Sequence, residues 1–90
     1  MLSCSLKANI TAAQQYFELL NSQPRLASKV DALIDSILQN PESGIGKPEQ
    51  LRHQSLNLWS RRISVRDRLI YQFTDDVSYI IQLMEHYKGR

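Results

Sequence analysis

The sequence predicts a single α+β domain over residues 1–90, with an N-terminal strand and two helices packed on a mainly antiparallel sheet of four to five strands. Three observations lead there. Apolar residues recur at helical spacing between Thr11 and Pro41, and the period falls to two after Pro48. The later apolar runs are joined by short turns, which make the strands they connect antiparallel neighbours. Ninety residues with 42% apolar content suffice for one compact core.

Each element has a local reason. Leu2 to Ala8 alternates loosely and meets no turn residue before Asn9, which predicts a first strand. Thr11-Ala12-Ala13-Gln14 has the form of a capping box, in which a threonine oxygen takes the amide three residues on and the glutamine reaches back. Ala13, Phe17 and Leu20 follow on one stripe, with Tyr16 beside them. Asn21-Ser22-Gln23-Pro24 breaks and restarts the chain, since proline suits a first helical position. Leu26, Val30, Leu33, Ile34, Ile37 and Leu38 then fall on one face of a second helix. Asn40-Pro41 closes it, read here as a left-handed cap. A loop containing Gly44 and Gly46 runs to Pro48.

Beyond it, Leu51 to His53 predicts a short strand. Trp59, Arg61, Ile63 and Val65 alternate with Leu58, Ser60, Arg62 and Ser64. Leu69, Tyr71 and Phe73 alternate with Arg68, Ile70 and Gln72. Thr74-Asp75-Asp76 reads as a hairpin turn, and Val77 to His86 as the last strand. The helices cover one face of the sheet, and the charged positions fall on the other, partly open face.

Charge is concentrated. Between Lys47 and Arg68 six cations stand against two anions, an excess of +4 in a chain whose net charge is +2. That clustering points to a phosphate-bearing partner. Cys4 is the only cysteine, which fits a reducing cytoplasm. No apolar run approaches the roughly 20 residues of a membrane span, so no membrane partner is expected. His53 and His86 with one cysteine do not make a zinc set, so neither metal nor cofactor is expected. A nucleophile elbow and a phosphate-binding glycine loop are both missing from the sequence.

Cleaving an RNA phosphodiester takes a base for the attacking 2′-hydroxyl, positive charge for the phosphorus oxygens and an acid for the leaving 5′-oxygen. Glu49, the arginines, His86 and Tyr87 include each kind. Each also has a plainer reading. Glu49 beside Arg52 can be a surface carboxylate, Trp59 a core or rim aromatic, and His86-Tyr87 the end of a strand. Arg61 and Arg62 point to opposite faces, so at most one of them shares a face with Arg68.

The blocks Gly44-x-Gly46-Lys47-Pro48-Glu49-x-Leu51-Arg52-His53, Leu58-Trp59-Ser60-Arg61-Arg62-Ile63, Arg68-Leu69-Ile70-Tyr71 and His86-Tyr87 resemble, in order and spacing, the YoeB/Txe toxins of the RelE superfamily. The resemblance spans nearly the whole chain. It implies a RelE-like microbial RNase fold and a ribosome-dependent mRNA endonuclease, the toxin of a toxin–antitoxin pair, which cuts the ribosomal A-site codon without metal. It further implies Glu49 as general base, His86 as general acid, Arg68 as stabiliser of the pentacovalent phosphate and Tyr87 as a residue shaping the site. Arg52 and Arg62 match phosphate-holding positions, and Lys47 and Arg61 are further candidates for RNA contact. The implied partners are mRNA, the ribosome and a YefM/Axe-like antitoxin, in a hetero-complex compatible with toxin dimers. The chain departs from the usual pattern in three places. No glycine stands just before Trp59, Asp67 replaces a frequent histidine, and Lys88-Gly89-Arg90 extends past the His-Tyr end. The alternative reading keeps the fold as a non-catalytic module that blocks the ribosome or another target.

Overall fold

A computed structural model describes residues 5–52 and 57–84. Its elements run β1 (Ser5–Ala8), α1 (Ile10–Ser22), α2 (Pro24–Gln39), β2 (Glu49–Gln50), β3 (Trp59–Arg62), β4 (Arg68–Phe73) and β5 (Val77–Met84). The strands form one mixed sheet in the order β1-β5-β4-β3-β2. Among the described residues only β1 with β5 is parallel; β2–β3, β3–β4 and β4–β5 are antiparallel. This is the α+β architecture the sequence predicts.

Helix α1 departs from its prediction in start and face. Asn9, not Thr11, is the cap: its Oδ1 accepts from the Ala12 amide at 2.9 Å. Asparagine at that position satisfies an amide that has no partner inside the helix. The buried stripe is Ala12 and Leu19, with Tyr16 against the core, while Phe17 is 61% and Leu20 44% exposed. Neighbouring stripes differ by one residue, a turn of about 100° at 3.6 residues per turn. Packing chooses between them. Gln15 lies on the chosen face, and its Oε1 accepts from the Leu83 amide at 2.8 Å, which pins α1 to β5.

Helix α2 follows its prediction more closely. Pro24 stands at its first turn, and Ala27, Val30, Leu33 and Ile37 are buried. Asn40 closes it in an extended conformation, φ −159°, not the left-handed cap predicted. Pro41 explains the difference, because the residue before a proline is pushed toward extended backbone.

The sheet's inner face supplies Ile63, Leu69, Tyr71, Ile80 and Leu83 to the same core. Losing a side chain such as Leu33, which is 0% exposed, costs about 2–5 kcal/mol as an alanine. A register shift lies between Ile70, opposite Gln82, and Tyr71, opposite Ile80. The shift keeps Ile80 and Leu83 both in the core, where strict alternation would separate them. The Thr74 hairpin forms as predicted: its amide donates to Val77 O at 2.8 Å, and its Oγ1 accepts from the Asp76 and Val77 amides. Strand β3 stops at Arg62, short of the predicted alternation through Val65, because Ser64 and Asp67 fold a turn there. Val65 at its tip is 85% exposed. The short strand predicted at Leu51 to His53 forms instead at Glu49–Gln50. His53 lies outside the described residues, as do Leu2, which opens the predicted first strand, and Cys4.

Candidate active site on the open sheet face

Residues opposite one another in a sheet project to the same side, and those two apart along a strand share it. Glu49 on β2 pairs with Ser60 on β3, and Arg62, two residues on, pairs with Arg68 on β4. Glu49, Arg62 and Arg68 therefore share the face that the helices leave uncovered. Glu49 and Arg62 stand on a diagonal of about 7–8 Å. Ideal strand spacings put the Glu49 and Arg68 backbones about 12 Å apart, a gap that two long side chains and a phosphate between them can span. Glu49 and Arg62 are exposed, Arg68 is half-buried, and Ser60 and Ile70 floor the face at 3% and 5% exposure.

Arg68 is held by the turn before it. Its Nη1 donates to the carbonyls of Ser64, Val65 and Asp67 at 3.1, 3.3 and 3.1 Å. The Asp67 carboxylate accepts from Ser64 Oγ at 2.8 Å, and Ser64 Oγ also receives the Arg66 and Asp67 amides. The carboxylate thus stabilises the turn that carries Arg68. Met84, the last described residue of β5, pairs with Arg68. His86 and Tyr87 lie outside the described residues. Lys47 and Arg52, flanking β2, are exposed.

Arg61 is the correction. A residue expected to contact RNA is instead 0% exposed on the opposite side of β3. Its Nε donates to Tyr71 Oη at 3.1 Å. Nη1 donates to Ser36 Oγ at 2.6 Å and Ile45 O at 3.0 Å, and Nη2 to Asn40 O at 2.8 Å and Ser43 O at 2.9 Å. All five guanidinium donors are used, so none is left for a phosphate. The signal was available in the sequence: Arg61 has the same strand parity as Trp59 and Ile63, both of which face the helices.

Trp59 follows its plainer reading. It packs against Tyr71 and Phe73, with ring centroids 6.5 and 5.7 Å away, at the rim of the core. Its Nε1 donates to Asn57 Oδ1 at 3.1 Å, and Gln50 Nε2 donates to the same oxygen at 2.7 Å. Asn57 thereby ties β2 to β3, a role that no motif in the sequence marks. Tyr71 sits beside the loop, its hydroxyl between Arg61 and Pro41. Burial raises its phenol above the ordinary value, and the Arg61 hydrogen bond and charge pull the other way. Tyr16, remote from this face, is raised by its hydrogen bond to Asp31.

Two concavities of about 370 and 430 Å³ flank α1 on the helical side, and neither is lined by Glu49, Arg62 or Arg68. Among the described residues no group of three or more His, Cys, Asp or Glu side chains is placed to hold a metal ion. Among the described residues no helix is long and apolar enough to cross a membrane.

Two helices on one side of a five-stranded mixed sheet give the molecule the RelE-like α+β fold. A family profile described as "YoeB-like toxin of bacterial type II toxin-antitoxin system" matches residues 9–87. The chain belongs to that family. It is 36% identical over 74 residues to Toxin YoeB of Streptomyces coelicolor, covering 82% of this chain and 88% of the relative. The YoeB dimer from Staphylococcus aureus superposes with a TM-score of 0.85 at 30% identity, covering 94% of this chain and 99% of that one. YoeB in the heterotetrameric YoeB–YefM complex from the same organism gives 0.83 at 29% identity, with 93% and 98% covered.

Proposed function

We propose that this toxin is a ribosome-dependent mRNA endonuclease that cuts the codon held in the ribosomal A site. The observation that carries the reading is the shared open face of Glu49, Arg62 and Arg68. A surface that only bound phosphate would have little use for a carboxylate beside its arginines.

The chemistry balances without a cofactor. Glu49 takes the proton of a ribose 2′-hydroxyl, and the 2′-oxygen attacks the adjacent phosphorus. Arg68, with Arg62 beside it, meets the charge that builds on the equatorial oxygens. The P–O5′ bond breaks as His86 protonates the leaving 5′-oxygen. The products are a 2′,3′-cyclic phosphate and a 5′-hydroxyl. Tyr87 shapes the pocket, and Lys47 and Arg52 hold the RNA backbone on either side of Glu49. Arg61 has no place in this set. The toxin works in the cytoplasm, where ribosomes are, and is silenced by a YefM-like antitoxin within a hetero-complex that accommodates toxin dimers. The YoeB–YefM complex and the YoeB dimer of Staphylococcus aureus support that partnership.

The test is cell-free translation of a defined message with mapping of new 3′ ends. Wild type yields cuts within the A-site codon. Glu49→Ala, Arg68→Ala and His86→Ala each lower the cleavage rate by roughly 10²-fold or more. Cleavage that persists in all three rejects the assignment. Arrest without new 3′ ends replaces it with a ribosome-blocking module.

A further inference from the structure

We infer that Arg61 is a positioning residue: it clamps the loop from Asn40 to Lys47 in the one shape that delivers Glu49 to the edge of the open face. The inference rests on Glu49 being the base proposed above.

Within the loop the Glu42 amide donates to Asn40 Oδ1 at 3.0 Å and the Ser43 amide to Asn40 O at 3.4 Å. Three of its carbonyls gather on one guanidinium. The carbonyls of Asn40, Ser43 and Ile45 converge on Arg61 from one side, and Ser36 Oγ and Tyr71 Oη complete the set. The two hydroxyls pass the grip on. Ser36 Oγ also accepts from the Ile45 amide at 3.3 Å, and Tyr71 Oη donates to Pro41 O at 2.6 Å. The next residue of β3 fastens the loop's far end, where the Arg62 amide donates to Gly46 O at 2.7 Å. The buried charge also sits at the carbonyl end of α2, where a cation is favoured.

The backbone shows that this shape is imposed. Gly44 and Gly46 have φ of +120° and +83°. A Cβ at Gly44 would overlap Ser36 Oγ, and one at Gly46 would press on Leu33. Lys47, a residue with a side chain, has φ +52°. Such conformations persist only where surrounding contacts over-determine them. Pro48 and then Glu49 follow directly, so the loop's geometry sets where β2 begins and how Glu49 meets Ser60. Lysine has three rotatable donors where arginine has a planar fork of five, and it cannot hold this set of acceptors. A displacement of about 1 Å at a reacting group costs on the order of 10²-fold in rate.

Three variants test the clamp in the full chain: Arg61→Lys, Tyr71→Phe and Ser36→Ala, the last two being mild enough to stand in should the first not fold. Amide exchange is read at Ile45 and Arg62. Single-turnover cleavage at saturating ribosomes is read at a temperature where each variant is folded, and ribosome affinity is read against salt. The expected result is faster exchange confined to the loop and the start of β2, with affinity and its salt dependence unchanged. The single-turnover rate falls about 10- to 100-fold for Arg61→Lys and less for the other two. A rate loss that disappears once the folded fraction is matched overturns the inference. So does weakened ribosome affinity of Arg61→Lys at matched folded fraction, which marks a direct guanidinium contact with RNA, or loop exchange that is unchanged in all three variants. A wild type that cuts nothing rejects the endonuclease reading, and with it the catalytic purpose of the clamp, while the exchange data still show whether Arg61 anchors the loop. The two failures are therefore distinguishable.

Discussion

Arg61 and Arg62 are adjacent on one strand and identical in chemistry, yet they live in different solvents. Arg61 points under the sheet, 0% exposed, with its five donors spent on Ser36, Asn40, Ser43, Ile45 and Tyr71. Arg62 points over it, exposed and opposite Arg68. Burial demands that every donor be matched, because an unpaired buried polar group costs about 1–3 kcal/mol. An exposed guanidinium has water for its donors and remains available to a ligand. The same residue type therefore builds the scaffold on one side and equips the candidate site on the other.

The difference between the two faces is tested most directly at Arg61 itself. Arg61→Ala strands several buried oxygens and is expected to lose about 4 kcal/mol or more of folding stability in urea titration. Arg62→Ala should stay within about 0.5 kcal/mol of wild type. Equal losses would abolish the distinction between the faces. Next in size is Arg68→Ala, expected to slow cleavage by about 10²- to 10³-fold in single-turnover assays. Its unfolding midpoint should move far less than that of Arg61→Ala. Gly46→Ala forces a side chain into positive φ against Leu33 and should cost about 1–3 kcal/mol, read as a lowered thermal midpoint.

Two smaller effects sharpen the contrast. Arg62→Ala should reduce the salt slope of ribosome binding by about one, as for a lost phosphate contact. Tyr71 reports the buried side through pH. Its phenol is raised in the fold, so the stability this adds is fully present below the unfolded value near 10. It is lost as pH climbs through the higher folded value. Tyr71→Phe should therefore lose less stability than wild type on alkaline titration above about pH 10, measured by urea unfolding. Tyr16, also raised, is present in both proteins and cancels.

How far the sequence could be read depended on whether an element had one face or two. Helix α2 carries a single apolar stripe, and the centre of that stripe, Val30, Leu33 and Ile37, is buried. Helix α1 carries two adjacent ones, and the choice fell to the Gln15 bond with Leu83 and the fit against α2. Strand alternation separated Arg61 from Arg62 correctly but did not say which side lay under the helices. The parity of Trp59 and Ile63 held that answer. Of the candidate site, the pairing of Arg62 with Arg68 follows from alternation and a short turn. The convergence on Arg61 does not, since its acceptors lie as far as 25 residues away.

The chain's local order set its periods, breaks and charge cluster, because helical and strand propensity act between residues only a few positions apart. Tertiary packing decided which stripe of α1 went inside, and that one of two neighbouring arginines became a buried clamp. Those outcomes depend on oxygens and methyls brought together from distant segments, and no window of sequence contains both halves of such a contact.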